Sequence, residues 1–356
     1  MFFKLLKDAL KVKNVRNKIL FTIFIIFVFR VGTHVTVPGI NAESLKQLSD
    51  LPFLNMLNLV SGNAMNNFSI FSMGVSPYIT ASIIVQLLQM DIYPKFVEWG
   101  KQGEVGRRKL NQATRYITLV LAFVQSIGIT ASFNTLSSIS LVKTPNISTY
   151  LLIGSILTAG SIIVTWLGEQ ITDKGFGNGV SMIIFSGIIA SIPKMFSTIY
   201  EDFFVNVRTG DLTRSYIIVA LLIVVGLAIV FFTTFVQQAE YQIPIQYTKL
   251  VQGAPTSSYL PLKVNPAGVI PVIFASSITT IPSTILPFFS KVTWLSHLQG
   301  LLSYNTPSGM ITYAILIILF SFFYTFVQVN PEKTAEYLQK NGSYIPSVRP
   351  GRETEK

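Results

Sequence analysis

The chain has 356 residues, half of them hydrophobic and only 12% charged, with no cysteine and a formal net charge of +11. A water-soluble domain carries about a quarter charged residues, so this chain has too little polar surface to face water on all sides. Disulfide frameworks, thiolate metal sites and cysteine nucleophiles are excluded, and the two histidines, His34 and His297, form no metal constellation.

In chain order, residues 2–18 alternate apolar and basic positions at helical spacing. They read as an interfacial helix on an anionic leaflet or as a solvated basic tail. A bilayer crossing needs about 20 mainly apolar residues. Such runs recur near 19–37, 74–92, 114–133, 149–167, 177–195, 215–236, 266–287 and 309–329, predicting eight spans. Segment 177–195, between Gly177 and Pro193, could instead be a buried core helix. The first run lacks a small-x-small cleavage site and further spans follow, so it is expected to stay in the mature protein. Residues 53–73 are apolar but dotted with Asn55, Asn58, Gly62, Asn63, Asn66 and Asn67. That is too polar to span and too apolar for a solvated loop. A half-helix folded back into an external funnel is expected, a simple interfacial helix being the alternative.

Charge placement orients the spans. With the N-terminus in the cytoplasm, the inner segments hold 20 of the 27 Lys and Arg residues and the outer loops 5. This positive-inside split makes the basic balance a topology signal rather than a nucleic-acid footprint. No Asp or Glu lies inside a span, which counts against a proton-coupled transporter. Arg30 is the one clearly embedded charge; it snorkels outward or bridges to backbone carbonyls of a neighbouring helix.

An internal repeat carries the architecture. Residues 74–83 (GVSPYITASI) and 268–277 (GVIPVIFASS) match at six of ten positions: Gly74/Gly268, Val75/Val269, Pro77/Pro271, Ile79/Ile273, Ala81/Ala275 and Ser82/Ser276. The two copies run in opposite directions five spans apart, as an inverted repeat of five plus five helices requires. Ten spans are then expected where eight are found, so the chain reads as truncated after the eighth. Pro77, Pro271 and Pro282 are expected to interrupt hydrogen bonding within their spans, where freed carbonyls need protein or cavity partners.

Longer motifs carry a resemblance. Phe68-Ser69-Ile70-Phe71, Pro77 to Ile83, Gln86-Leu87-Leu88, Lys101 to Lys109 (KQGEVGRRK), Trp166 to Thr172 (WLGEQIT), Gly177-Asn178-Gly179, Leu260 to Asn265 (LPLKVN), Val329 to Glu332 and Val348 to Gly351 stand in order along the chain. In these it resembles the bacterial SecY family, in wording closer to the general-secretion members of Gram-positive bacteria. The resemblance implies an all-α integral membrane fold: an inverted-repeat helix bundle with eight of ten transmembrane helices, halved at 1–195 and 196–356. It implies a protein-conducting channel in the bacterial plasma membrane, N-terminus cytoplasmic, passing unfolded preproteins across and releasing hydrophobic segments sideways into lipid. It also implies a pore ring at Val75, Ile79, Ile184 and Ile273, a lateral gate along Thr80, Gln86, Gln125 and Asn265, and a plug including Leu54, Met56, Leu57, Leu59, Val60 and Asn63. Asn63 replaces a glycine common in the family's plug. Lys249 and Arg349 match the bases with which family loops dock the SecA ATPase or the ribosome. Strong ribosomal RNA contact is in doubt for the earlier loop, where Gln237 to Gln242 and Ala254 to Ser257 replace arginines of many relatives. Further implied partners are SecE, SecG, signal-bearing preproteins and lipid. No cofactor and no catalysis are expected, and the lack of a Gly-x-x-x-x-Gly-Lys loop agrees with an external motor. The rival reading is a secondary transporter of a small solute, supported by the repeat and opposed by the acid-free spans.

Overall fold

A computed structural model describes residues 11–41, 61–62, 64–89, 93–136, 141–205, 212–247, 257–285, 306–329, 331–340, 342–346, 348–349 and 351–355. Helices stand at all eight predicted spans. They are α1 (Lys13–Gly32), α2 (Ser76–Leu87), α4 (Gly103–Leu136), α5 (Ile147–Lys174), α6 (Gly179–Tyr200), α7 (Leu212–Gln238), α8 (Ile270–Ile285) and α9 (Pro307–Gln328). The short α3 (Pro94–Lys101) precedes α4, and α10 (Pro331–Lys340) follows α9. Among the described residues, five helices are both long and apolar enough to cross a bilayer, those at α4, α5, α6, α7 and α9. The other three predicted spans are shorter or more charged: α2 has 12 residues, α8 has 16, and the 20 residues of α1 begin inside the basic stretch at Lys13.

Two expectations about proline need correction. Pro77 and Pro271 begin helices instead of interrupting them, each standing second in its helix. The first-turn N–H groups have no intrahelical partner, so a residue without one costs nothing there. Pro193 lies inside α6, which continues past it to Tyr200, so this residue does not bound the segment.

Contacts divide the chain into two compact units, Met1–Ser197 with Ser277–Met310, and Thr198–Ser276 with Ile311–Lys356. In the first unit α5 is the central helix. Its inward stripe is small: Gly154, Thr158, Ser161, Thr165 and Gly168 recur at alternating steps of four and three and all are buried. Small residues let helices approach closely where lipid removes the hydrophobic drive to associate. A Cβ at Gly160 would overlap the Ile70 carbonyl, and one at Gly179, where α6 starts, would overlap the carbonyl of Gly168. At the far end of α5, Arg115 of α4 donates to both carboxylate oxygens of Glu169, at 2.9 and 2.6 Å.

From Ala64 to Met73 the segment 53–73 is a run of turns, and residues 53–60, where the expected half-helix would fall, lie outside the described residues. Ser72 Oγ and Ser69 N–H both donate to the Ala64 carbonyl, and side chains that bond nearby backbone compete with a helical ladder. The run is stitched to residues 35–37: Val37 N–H donates to Phe68 at 3.0 Å, and Ile70 N–H to Val35 at 2.9 Å. Phe68 is the run's anchor, 1% exposed and edge-on to Phe133 of α4 in a cluster with Met65, Met73, Leu141, Ile153 and Leu157.

The second unit contains an element the all-helical expectation lacks. Strands β1 (Glu240–Tyr247), β2 (Ser257–Lys263) and β3 (Ser343–Tyr344) form an antiparallel sheet in the order β2-β1-β3. Alternation is legible in β1, where Ile243 and Ile245 lie between Gln242 and Gln246. The sheet ties the loop after α7 to the segment after α10, with Tyr344 donating to Gln246 Oε1 at 2.9 Å. In the same unit, Phe274 of α8 meets Phe320 and Tyr324 of α9 edge-on.

Candidate functional site: the repeated helix starts and the segment before α2

The six-residue match is a match of backbone as well. Gly74 and Gly268 both adopt left-handed conformations, with φ of +53° and +59°, where an L side chain is strained. Each helix starts two residues later with proline second. Ile79 N–H donates to the Val75 carbonyl at 3.0 Å, and at the matched positions Ile273 donates to Val269 at 3.3 Å. The two turns are held differently: Ser161 of α5 donates its hydroxyl to the Gly74 carbonyl at 3.0 Å, whereas Gly268 donates its N–H to Asn265 Oδ1 at 3.1 Å.

On these frames Val75 is fully buried, Ile79 nearly so, and Ile184 and Ile273 are half-buried. Val75, Ile79 and Ile184 belong to the first unit and Ile273 to the second. On α6 the neighbouring Ile183 is 1% exposed and lies against Gly168, leaving Ile184 round the side of the helix. A row of branched aliphatic side chains offers no ligand to an ion and holds water poorly.

Of the polar residues expected along a gate, Thr80 and Gln125 are buried, Gln86 is half-buried and Asn265 is exposed. Three of them bond locally. Thr80 donates to the Ser76 carbonyl at 3.2 Å, Gln86 to Ser82 Oγ at 3.3 Å, and Asn265 accepts from Gly268 as above. Leu54, Met56, Leu57, Leu59, Val60, Asn63 and Lys249 lie outside the described residues. Arg349 is exposed, its carbonyl accepting from Thr354 Oγ1 at 2.9 Å.

Of the two fates open to Arg30, the structure selects the backbone bridge. Its Nη1 donates to the carbonyl of Gly62 at 2.7 Å. Sequence reasoning did not find Gly160 and Ser161, which seat the segment before α2. The signal was present in the small-residue stripe of α5.

The SecY family profile matches residues 69–356. The chain is 72% identical to the protein translocase subunit SecY of Streptococcus gordonii, covering all of this chain and 82% of that protein. It is 49% identical to the protein translocase subunit SecY of Bacillus subtilis, covering 99% and 83%. Among solved structures, a protein-conducting channel superposes with a TM-score of 0.62 at 17% identity, over 96% of this chain and 80% of that one; this likeness speaks to the fold.

Proposed function

The chain belongs to the SecY family, and from that premise we propose that it forms the polypeptide path of a protein translocase, a channel that partner proteins energise. It is a multi-pass membrane protein and a translocase subunit by family. The observation that carries the pore reading is the repeated glycine–proline helix start, which puts Val75 and Ile79 on one frame and Val269 and Ile273 on its copy. Val75, Ile79, Ile184 and Ile273 would form the ring. Branched aliphatic side chains close on one another when nothing passes and yield to a polypeptide without offering ions a ligand.

Thr80, Gln86, Gln125 and Asn265 are proposed for the lateral gate. The side-chain bonds of Thr80, Gln86 and Asn265 stay within their own stretch of chain, so separating the helices that bear them would leave these bonds intact. Leu54, Met56, Leu57, Leu59, Val60 and Asn63 are proposed for the plug. The sheet that joins the loop after α7 to the segment after α10 supports a docking face carrying Lys249 and Arg349 for SecA or the ribosome. SecE and SecG complete the proposed assembly, in the bacterial plasma membrane with the N-terminus cytoplasmic. The small-solute transporter is not favoured, since the relatives that match the whole chain are translocase subunits.

The test is reconstitution with the partner subunits in proteoliposomes. ATP and SecA are expected to drive a signal-bearing preprotein into the vesicles, and Ile79→Gly with Ile273→Gly is expected to raise resting ion conductance. Solute uptake without SecA or preprotein, or unchanged conductance in the double variant, would overturn the channel and ring readings respectively.

A further inference from the structure

Where the exposed faces of α4 and α5 meet lies an open groove of about 270 Å³, and its lining is sorted along the helix axes. At one end Arg115 and Glu169 are joined by hydrogen bonds of 2.9 and 2.6 Å, with Tyr116 and Trp166 beside them. This is the end nearer the basic run Arg107-Arg108-Lys109, and tyrosine and tryptophan collect at the boundary between water and lipid. Leu119 lies one turn deeper on α4 and Ile162 two turns deeper on the antiparallel α5, about 10 Å towards the bilayer centre. The floor between them is Thr118 and Thr165, both buried. Their hydroxyls donate back to the carbonyls of Thr114 and Ser161 at 2.7 and 2.9 Å, so the deep part of the groove makes no polar demand on an occupant. The shallow end does make one. The ion pair uses two of the guanidinium's five N–H groups, and each carboxylate oxygen keeps a second lone pair.

We propose that this groove binds a phospholipid with a zwitterionic headgroup, its phosphate on Arg115, its ammonium on Glu169 and an acyl chain along Leu119 and Ile162. The inference goes beyond the channel reading and needs only the membrane setting that family membership carries. Charge complementarity selects the occupant. A purely anionic headgroup reaching Arg115 meets the repulsion of Glu169, and a purely cationic one reaching Glu169 meets that of Arg115. A headgroup carrying both signs on a short linker sets four charges in alternation and meets neither repulsion. Its phosphate receives charge-assisted hydrogen bonds from the guanidinium, and the faces of Trp166 and Tyr116 attract its ammonium.

Quenching of Trp166 fluorescence by lipids brominated on their acyl chains reads occupancy of the groove directly. Trp99 and Trp294 are replaced by phenylalanine, and the channel is assembled with tryptophan-free partners, leaving Trp166 as the reporter. In nanodiscs of equal phosphatidylethanolamine and phosphatidylglycerol, one or the other brominated, occupancy by phosphatidylethanolamine is expected to exceed that by phosphatidylglycerol about tenfold. Glu169→Gln leaves Arg115 uncompensated and should reverse the preference. Exchanging the charges, Arg115→Glu with Glu169→Arg, should keep it, which separates loss of recognition from loss of folding. Equal quenching by the two lipids, a preference unchanged in Glu169→Gln, or its loss in the exchanged pair would overturn the site. So would absence of quenching by either lipid, which would mean that a partner subunit covers the groove. Preprotein import is measured apart from all of these, so the channel reading stands or falls separately.

Discussion

Helices α5 and α7 are both apolar enough to cross a bilayer, yet 56% of the apolar window of α5 is buried within the protein and none of that of α7. The more hydrophobic helix is the one whose apolar window is least buried among the described residues. Helix α7 is Leu, Ile, Val and Phe all round, from Tyr216 to Phe235, and these side chains stand exposed. Helix α5 interleaves Gly154, Thr158, Gly160, Ser161 and Gly168 with its aliphatics and sits at the centre of its unit. Lipid tails solvate Leu as well as a protein core does, so hydrophobicity gives no drive to bury a helix here; close approach of small residues does.

Paired substitutions in the two regions test that contrast. The largest effect is expected from Phe68→Ala, which empties the cluster beneath the turns. It should cost about 3 kcal/mol, the low end for such truncations, because an unfolded chain in lipid already keeps part of its apolar surface from water. Phe231→Ala, on a residue 74% exposed, should change thermal unfolding in mixed micelles by no more than about 0.5 kcal/mol. If the two shift the midpoint equally, the contrast between the regions fails.

Next comes Gly160→Ala, whose added methyl would overlap the Ile70 carbonyl, at about 1–3 kcal/mol. Its counterpart, Gly226→Ala on α7, meets nothing within 4 Å and should stabilise slightly through helix propensity. Protease resistance of the membrane-embedded protein separates the two.

Ser161→Ala removes the donor to the Gly74 carbonyl and should cost about 1 kcal/mol. Thr234→Val on α7 removes only an i−4 back-bond and should be near neutral. The smallest effect is expected from Arg115→Gln. The pair with Glu169 is bidentate but its arginine is 61% exposed, so the loss should stay below about 1 kcal/mol and shrink as salt is raised. A large, salt-independent loss would show that the α4–α5 contact depends on charge instead of small-residue packing.

Much of this protein is legible without coordinates because the bilayer imposes simple demands. Long apolar runs locate all eight helices, since a backbone in hydrocarbon must satisfy its own hydrogen bonds. The repeat was visible as Gly, Val, Pro, Ile, Ala and Ser in matching order, and it reappears as matching φ angles and helix starts. The small-residue stripe of α5 was present but unread. The sheet was harder to see, because β1 and β2 are separated by an unpatterned loop and β3 lies some 80 residues after β2.

What the sequence determined by itself is where the chain is apolar, where it must turn at glycine, and that one cation, Arg30, lies in an apolar run. What only the tertiary structure decided is which surface meets which: that α5 is the central helix of its own unit while the apolar window of α7 stays exposed, that Pro77 and Pro271 open helices, and that Arg30 reaches Gly62. Transfer out of water depends on composition, which a sequence displays residue by residue. Contact between apolar surfaces already out of water depends on shape, and shape appears only when distant segments are brought within a few ångströms.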